Sequence, residues 1–289
     1  EDALTLLVER ARLMQSMDPG QMLAVRVPEA EATGFLGADL DLAACNAPAL
    51  CVLSGPADAV TRLSRELESK GVGARLLQTS HAFHSRMMEP ALERFRQAAR
   101  RITYHAPTLP FISTVTGAWI TAEQATDPEH WVRQIRQPVR FSAAVQVALA
   151  DAAAVFLETG PGQALTTVTL QHESDQGPVR AIPSMRPIRD TVADEVSLFR
   201  ALGALWTAGQ PVPWERLHGN PQPRRRALPT YPFERKRFWI EPPAAGQAGA
   251  AGPLPAADTE QAKPEAAAEP AAAPAAGPEK VLQEVVDIL

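Results

Sequence analysis

The order of strand-like and helix-like segments between residues 21 and 79 constrains the fold more than any other feature of this sequence. Four short apolar runs, at 22–27, 40–46, 50–53 and 74–79, have the length of strands. Segments with helical periodicity follow the first and the third of these runs. The predicted order is therefore βαββαβ, which is typical of a ferredoxin-like split βαβ unit with two helices on one face of an antiparallel sheet.

Further helices and strands flank this unit. Apolar residues at helical spacing predict a first helix that ends near Met17. After residue 85 the pattern predicts helices at 85–101, 128–136, 142–150 and 191–208, and a strand at 111–115. The apolar run 152–157 predicts a strand buried on both faces of a parallel sheet and ended by the turn residues 158–162. These elements predict an α/β fold class.

The composition changes in the last part of the chain. Residues 242–278 are rich in Ala, Pro, Glu and Gly and contain no aromatic residue. Such a segment buries too little apolar surface to offset the entropy of ordering, so a disordered linker is expected. An apolar period then restarts in 279–289 and predicts the first helix of a following domain. Because the sequence begins and stops inside helical patterns, a piece of a longer chain is expected.

Charge and cysteine content exclude several classes of function. The formal net charge is -5 and the basic residues are interspersed with acidic ones, which argues against binding to nucleic acid or an anionic membrane. The sequence contains no run of 18 uninterrupted apolar residues, so it predicts no membrane-spanning helix. Two cysteines are too few for a disulfide framework or a structural zinc site, so no metal is expected. These features predict small-molecule and protein partners in the cytoplasm.

The densest group of candidate catalytic residues is the segment 79–85, Thr-Ser-His-Ala-Phe-His-Ser, where a predicted strand ends and a helix begins. An imidazole at such a strand end can act as the general base for an oxygen nucleophile. The alternative is that His81 and His84 cap the helix or bind backbone groups. Considered alone, the motif favours this structural alternative.

Several motifs together resemble the acyltransferase domain of type I polyketide synthases, which is related to malonyl-CoA:acyl carrier protein transacylase. They are the segment 7–15, Cys45-Asn46-Ala47-Pro48, the His-Ala-Phe-His motif 81–84, Pro-Val-Arg-Phe at 138–141 and the signature 228–239. The resemblance covers about residues 1–240. It implies a partial α/β-hydrolase-like large subdomain that carries the ferredoxin-like small one. It also implies transfer of a malonyl extender unit from malonyl-CoA to the phosphopantetheine arm of an acyl carrier protein, beside a ketosynthase domain.

The resemblance assigns catalytic and substrate-binding roles to particular residues. His84 takes the role of the catalytic histidine. Gln134, four residues before Pro138, is expected to orient its ring through the main-chain carbonyl. Arg10 is expected to bind the extender carboxylate, because a planar guanidinium grips a carboxylate through two parallel hydrogen bonds. No cofactor is implied in this chain, since phosphopantetheine belongs to the carrier protein.

Three further residues are assigned to substrate binding. His81 and Phe83 belong to the His-Ala-Phe-His form of the motif, which is typical of enzymes that select malonyl over methylmalonyl units. Phe83 is expected to fill the space that a methyl branch on the substrate would need. Asn46 matches a motif that lines the cleft, although a turn-forming role fits it equally well.

The sequence also departs from the family pattern. A Gly-His-Ser-x-Gly elbow, which holds the nucleophilic serine in the family, does not occur in these 289 residues. The chain is therefore expected to be inactive alone, and a non-catalytic interdomain adaptor in a megasynthase remains the alternative function.

The expected organisation is a remnant helix of the large subdomain at 1–20, the small subdomain at 21–85, the rest of the large subdomain at 86–190, a post-acyltransferase linker at 191–241, the disordered linker at 242–278, and a domain that begins at 279 and resembles a carrier protein.

Overall fold

The computed structural model describes residues 2–151, 154–217 and 227–232. The expected disordered linker at 242–278 and the following domain at 279–289 lie outside these residues, as does the signature from 233 onward. Contacts divide the chain into one unit that spans residues 1–212 and a second that begins at Pro213 and contains the short helix α10, Trp214–Leu217. No helix in the described segments is both long and apolar enough to cross a membrane.

A four-stranded antiparallel sheet forms the centre of the first part of the chain. Its strands are adjacent in the order β2-β3-β1-β4, with antiparallel pairing throughout. The predicted βαββαβ order is present, with the bounds β1 Gln21–Val25, α2 Glu29–Thr33, β2 Asp41–Ala47, β3 Leu50–Gly55, α3 Ala57–Ser69 and β4 Ala74–Leu76. Helix α3 begins after Pro56 and ends just before Gly71, whose φ of 70° suits a residue that follows a helix end.

The two faces of this sheet have different neighbours, because alternate residues of a strand point to opposite sides. Leu23 and Val25 of β1 belong to a buried cluster with the apolar face of α3. Met22 of β1 belongs to a second cluster, against which Phe83 and Val139 pack. The face of the sheet opposite α3 therefore contacts the two segments that carry the candidate catalytic motifs.

A small helical layer holds the remainder of those motifs. Helix α1, Asp2–Gln15, packs with α4, Glu89–Ala99, and α6, Pro128–Arg136, around a buried cluster that includes Leu13, Phe95 and Ile135. The helix predicted at 85–101 begins as a short 3₁₀ turn, Arg86–Met88, and continues as α4. The remaining elements are β5 Ile112–Ser113, β6 Ala118–Trp119, α5 Ala122–Thr126, α7 Phe141–Leu149, β7 Phe156–Pro161, α8 Ala164–Thr169, β8 Ala181–Met185 and α9 Asp194–Thr207.

For the strand predicted at 152–157, the parallel pairing is confirmed and the burial on both faces was wrong, while residues 152 and 153 lie outside the described part of the chain. Strand β7 spans Phe156–Pro161, pairs in parallel with β8 and is only partly buried, and it includes residues that were expected to end it. A register shift between Glu158 and Pro161 accommodates the turn-forming residues within the strand. The Glu158 carboxylate accepts hydrogen bonds from the backbone N–H groups of Leu165 and Thr166 in the first turn of α8. Glu158 therefore connects the strand to a helix start.

Candidate active site

The segment 79–85 reaches its place through close contacts with the strands beside it. Backbone N–H of Gly20 donates to the Ser80 carbonyl at 3.2 Å, and Ala82 is fully buried. A Cβ placed on Gly20 would lie 2.7 Å from the Ala82 Cβ, so only glycine allows this approach. Ser85 then begins the 3₁₀ turn, because its Oγ accepts a hydrogen bond from the backbone N–H of Met87. The motif is thus held at both ends.

His84 has an unusual backbone conformation. Its φ of 57° makes it the one non-glycine residue with positive φ among those that the structure describes. This left-handed conformation costs roughly 1 to 2 kcal/mol for a residue with a Cβ. Such local strain persists only where surrounding contacts enforce it, and it is common at functional sites.

The imidazole of His84 is oriented by a backbone carbonyl. Its Nδ1 lies 2.9 Å from the carbonyl oxygen of Gln137. A carbonyl only accepts hydrogen bonds, so Nδ1 carries the proton of the neutral ring and Nε2 is left as a proton acceptor. Gln137 is the C-cap of α6, where the last carbonyls have no partner within the helix. The free carbonyl at the helix end therefore fixes the tautomer that a general base requires.

The role expected of the Gln134 carbonyl is shared with Gln137, because both carbonyls act on the His84 ring. The carbonyl that accepts from His84 Nδ1 belongs to Gln137, three residues later. The Gln134 carbonyl is close enough to act on the pKa of His84, but it is the weakest of four influences. The side chain of Gln134 has a separate contact, since its Oε1 accepts a hydrogen bond from Nη1 of Arg10. Gln134 therefore connects the carboxylate-binding candidate to helix α6.

The surroundings of His84 favour its neutral form. Burial lowers its pKa below the ordinary value of 6.5, and the positive charge of Arg10 lowers it further. The carbonyl groups of Gln137 and Gln134 oppose this effect without cancelling it. The ring is thus neutral at neutral pH, with a bare Nε2, and this is the state in which a histidine can accept a proton.

Arg10 borders two cavities. Its Nε lies 3.4 Å from Sδ of Met14, and burial lowers its pKa. One cavity, of about 280 Å³, is bordered by Arg10 and Phe83 together with neighbouring α1 residues. The other, of about 640 Å³, is largely apolar and lies between Arg10, Gln134 and Trp131. A guanidinium at the edge of an apolar cavity can bind a carboxylate with little competition from water.

The three other candidates differ in their surroundings. Phe83 is half-buried and borders the same cavity as Arg10. His81 is only 4% exposed, with Nδ1 2.7 Å from the Ser80 hydroxyl and Nε2 3.1 Å from the Met17 carbonyl. Both of its nitrogens are thus engaged, so His81 supports the turn and is not available to a substrate. Asn46 is half-buried and lies near the end of strand β2, two residues before the turn at Pro48.

Sequence reasoning missed Gln137, which accepts from His84, and Asp41, which binds Arg86 and Arg136 beside that contact. Gln137 could have been found from its position directly before Pro138, where a helix end leaves carbonyl groups unpaired. Asp41 is a charged residue in a predicted apolar strand, and buried charges need partners. That pattern indicated a paired carboxylate, but the sequence did not reveal its partners.

Known proteins match this chain over most of its described length. The sequence profile of the acyl transferase domain matches residues 1–208. A phenolphthiocerol/phthiocerol polyketide synthase of Mycobacterium tuberculosis (strain CDC 1551 / Oshkosh) is 37% identical over 249 residues, which are 84% of this chain and 16% of that protein. Polyketide synthase GfsA of Streptomyces halstedii is 36% identical over 248 residues, which are 83% of this chain and 3% of that protein.

Solved structures give the same result. The acyltransferase domain from the second module of the salinomycin polyketide synthase has a TM-score of 0.71 and 35% identity, and the match covers 79% of this chain and 54% of that one. The acyltransferase domain of SpnD, solved with 2-(pent-4-yn-1-yl)malonyl, has a TM-score of 0.68 and 38% identity, with 72% of this chain and 50% of that one covered. The chain thus spans about half the length of these solved domains.

Fold and sequence together define the class. The chain belongs to the acyl transferase domain family, whose profile covers most of its described residues. Within that family it is an acyltransferase domain sequence of the type I polyketide synthase kind, as its relatives and solved neighbours are. Such domains are transferases and parts of multifunctional enzymes.

Proposed function

We propose that this chain supplies the general base and the carboxylate-binding arginine of an acyltransferase that loads a malonyl extender unit onto an acyl carrier protein. The observation that carries the proposal is the hydrogen bond from His84 Nδ1 to the Gln137 carbonyl, which leaves Nε2 as a base. Arg10, close enough to lower the pKa of His84, supplies the positive charge. The SpnD domain, a relative solved with a substituted malonyl group, supports this class of substrate.

The reaction would proceed in two acyl transfers. In the first, a serine outside these 289 residues attacks the thioester of malonyl-CoA while His84 Nε2 removes its proton, and the coenzyme A thiolate leaves and takes up that proton. In the second, the phosphopantetheine thiol of the carrier protein loses its proton to His84 and attacks the seryl ester. The serine then recovers the proton. Arg10 would hold the free malonyl carboxylate throughout.

The wider organisation forms part of the same proposal. Residues 1–20 and 86–190 would belong to the α/β-hydrolase-like large subdomain, and residues 21–85 would form the ferredoxin-like small subdomain. The βαββαβ order and the β2-β3-β1-β4 sheet support the second assignment. Residues 191–241 would form the post-acyltransferase linker, in a cytoplasmic synthase with a neighbouring ketosynthase domain.

An acylation assay tests the proposal. The chain alone, incubated with radiolabelled malonyl-CoA, should give no acyl-protein above background, because it contains no nucleophile elbow. The complete synthase should become labelled, and His84→Ala should lower the labelling rate by about 10² to 10⁴, the usual contribution of a general base. If the complete synthase remains unlabelled, the adaptor alternative is correct. If the chain alone is labelled stoichiometrically, the assignment of the nucleophile to another segment is wrong.

A further inference from the structure

A buried carboxylate lies beside the His84 segment and binds two arginines. Asp41, the first residue of β2, is only 9% exposed. Its Oδ2 accepts from the backbone N–H of Arg86 at 2.9 Å and from Arg86 Nε at 3.0 Å. Its Oδ1 accepts from Nη2 of Arg86 at 3.2 Å and from Nη2 of Arg136 at 3.1 Å. The carboxylate thus receives four hydrogen bonds from two separate segments.

The two arginines flank the contact that orients the imidazole. Arg86 follows His84 by two residues, and Arg136 directly precedes Gln137, whose carbonyl accepts from His84 Nδ1. One carboxylate is therefore bonded to the segment of the donor and to the segment of the acceptor. We propose that Asp41 is a positioning residue for His84, which holds the imidazole at hydrogen-bonding distance from the Gln137 carbonyl; the proposal rests on the proposed function.

The chemistry of the cluster suits a rigid connection. Arg86 binds Asp41 in the two-pronged geometry that fixes orientation as well as distance, and its Nη1 donates to the Ala38 carbonyl. Arg136 has a second partner, because its Nε donates to Glu89 at 2.9 Å. Burial raises the pKa of Asp41, but the hydrogen bonds and charges of Arg86 and Arg136 lower it by more, so the carboxylate stays ionised.

Loss of the Asp41 charge should loosen both segments at once. An amide at this position keeps the shape of the side chain but presents one acceptor oxygen, so it cannot bind both arginines in the same way. The hydrogen bond between His84 Nδ1 and the Gln137 carbonyl joins the two segments, so its length depends on their relative position. A displacement of about 1 Å can lower a catalytic rate by roughly 10²-fold.

The direct test measures the tautomer of His84 in this chain by ¹⁵N nuclear magnetic resonance of the labelled imidazole. In the unchanged chain the neutral ring should carry its proton on Nδ1. In Asp41→Asn the ratio of the Nδ1–H to the Nε2–H tautomer should fall by about tenfold, the worth of one hydrogen bond. The matched control is Asp58→Asn, which removes an exposed carboxylate paired with Arg62 on α3 and should leave the ratio unchanged. An unchanged ratio in folded Asp41→Asn overturns the proposal.

A second variant keeps the test decisive if Asp41→Asn does not fold. Arg136→Gln removes the connection on the Gln137 side, together with the ion pair between Arg136 and Glu89, and leaves the pair of Asp41 with Arg86 intact. It should shift the tautomer ratio in the same direction, whereas Arg136→Lys should restore part of it. If neither Arg136 variant changes the ratio, the cluster is structural only.

An activity measurement separates this proposal from the proposed function. In the complete synthase, Asp41→Asn should lower kcat for malonyl transfer by roughly 10 to 100-fold and change KM for malonyl-CoA by less than about threefold, because the substrate contacts remain. If the unchanged synthase transfers no malonyl group, the proposed function fails, and the tautomer ratio still decides the role of Asp41. If KM rises while kcat is retained, Asp41 acts on binding and the positioning role is wrong.

Discussion

Replacement of Arg10 by lysine in the complete synthase should slow malonyl transfer far more than acetyl transfer. Arg10 donates through one Nη1 hydrogen to Gln134 and through Nε to Met14. Of its five N–H groups, these contacts within the described residues leave three for a ligand. Two of the three can bind both oxygens of a carboxylate in parallel, which an ammonium group at one point cannot do.

The size of the effect follows from the hydrogen bonds that are lost. Lysine should forfeit at least one of two charge-assisted hydrogen bonds, each worth about 1.5 to 3 kcal/mol. At about 1.36 kcal/mol per tenfold change in rate, kcat/KM for malonyl-CoA should fall by roughly 10 to 150-fold. Acetyl-CoA has no free carboxylate, so its kcat/KM should change by less than about threefold.

The assay compares carrier-protein acylation from the two thioesters by mass spectrometry. Arg12→Lys is the matched control, because Arg12 is an exposed residue on the same helix. It should leave both rates within about twofold of the unchanged enzyme, as most surface substitutions do. Equal losses for malonyl and acetyl transfer in Arg10→Lys would refute the carboxylate role and show that Arg10 acts by packing against helix α6.

Three further outcomes are expected. Phe83→Ser should raise the ratio of methylmalonyl to malonyl transfer by about tenfold, since a methyl group in an apolar pocket is worth roughly 1 to 3 kcal/mol. Competition between the two CoA esters measures this ratio, and an unchanged ratio would contradict the steric role of Phe83. In a pH-rate profile, the acid limb of kcat/KM should have its midpoint below pH 6.5, because the lowered pKa of His84 keeps the imidazole neutral until the pH falls through that pKa. A midpoint above pH 6.5 would exclude His84 in this environment as the base. Gly20→Ala should lower the free energy of unfolding in urea by about 1 to 3 kcal/mol, because the new Cβ would lie 2.7 Å from the Ala82 Cβ. The control Gly203→Ala, whose new Cβ meets nothing within 4 Å, should not lower it, and equal effects of the two substitutions would show that the close approach is relaxed in solution.

Sequence periodicity predicted those parts of the fold that depend on local patterns. The bounds of α3 follow from its apolar spacing and from the proline and glycine at its ends, which act within a few residues. The strand β7 was misplaced because its limits depend on pairing with β8, about 25 residues later. An apolar run indicates that a segment can be buried. The neighbouring strand and the elements packed on the sheet determine where the strand begins and how much of it is buried.

The site shows the same division at the level of single residues. His81 and His84 are equivalent in the sequence, and only the structure shows that His81 is buried with both nitrogens engaged. The carbonyls of Gln134 and Gln137 both lie in the last turn of α6, where they have no intrahelical donor because Pro138 has no N–H, so only the geometry shows which one accepts from the imidazole. Helix ends are set by fractions of a turn, which motif spacing does not resolve.

The bridge between Val139 and strand β2 bears on how such domains can be recombined. Val139 donates to the Ala43 carbonyl and accepts from the Cys45 N–H, both at 2.9 Å, so the segment after α6 runs as a short parallel extension of the small sheet. In a chimeric synthase that exchanges only residues 21–85, strand β2 and His84 would come from one parent, and Val139 and Gln137 from the other. The pairing of β2 with Val139 and the hydrogen bond of His84 with the Gln137 carbonyl would then join residues of different parents. An exchange that carries residues 136–140 along with the small sheet keeps this backbone pairing and the imidazole contact from one parent.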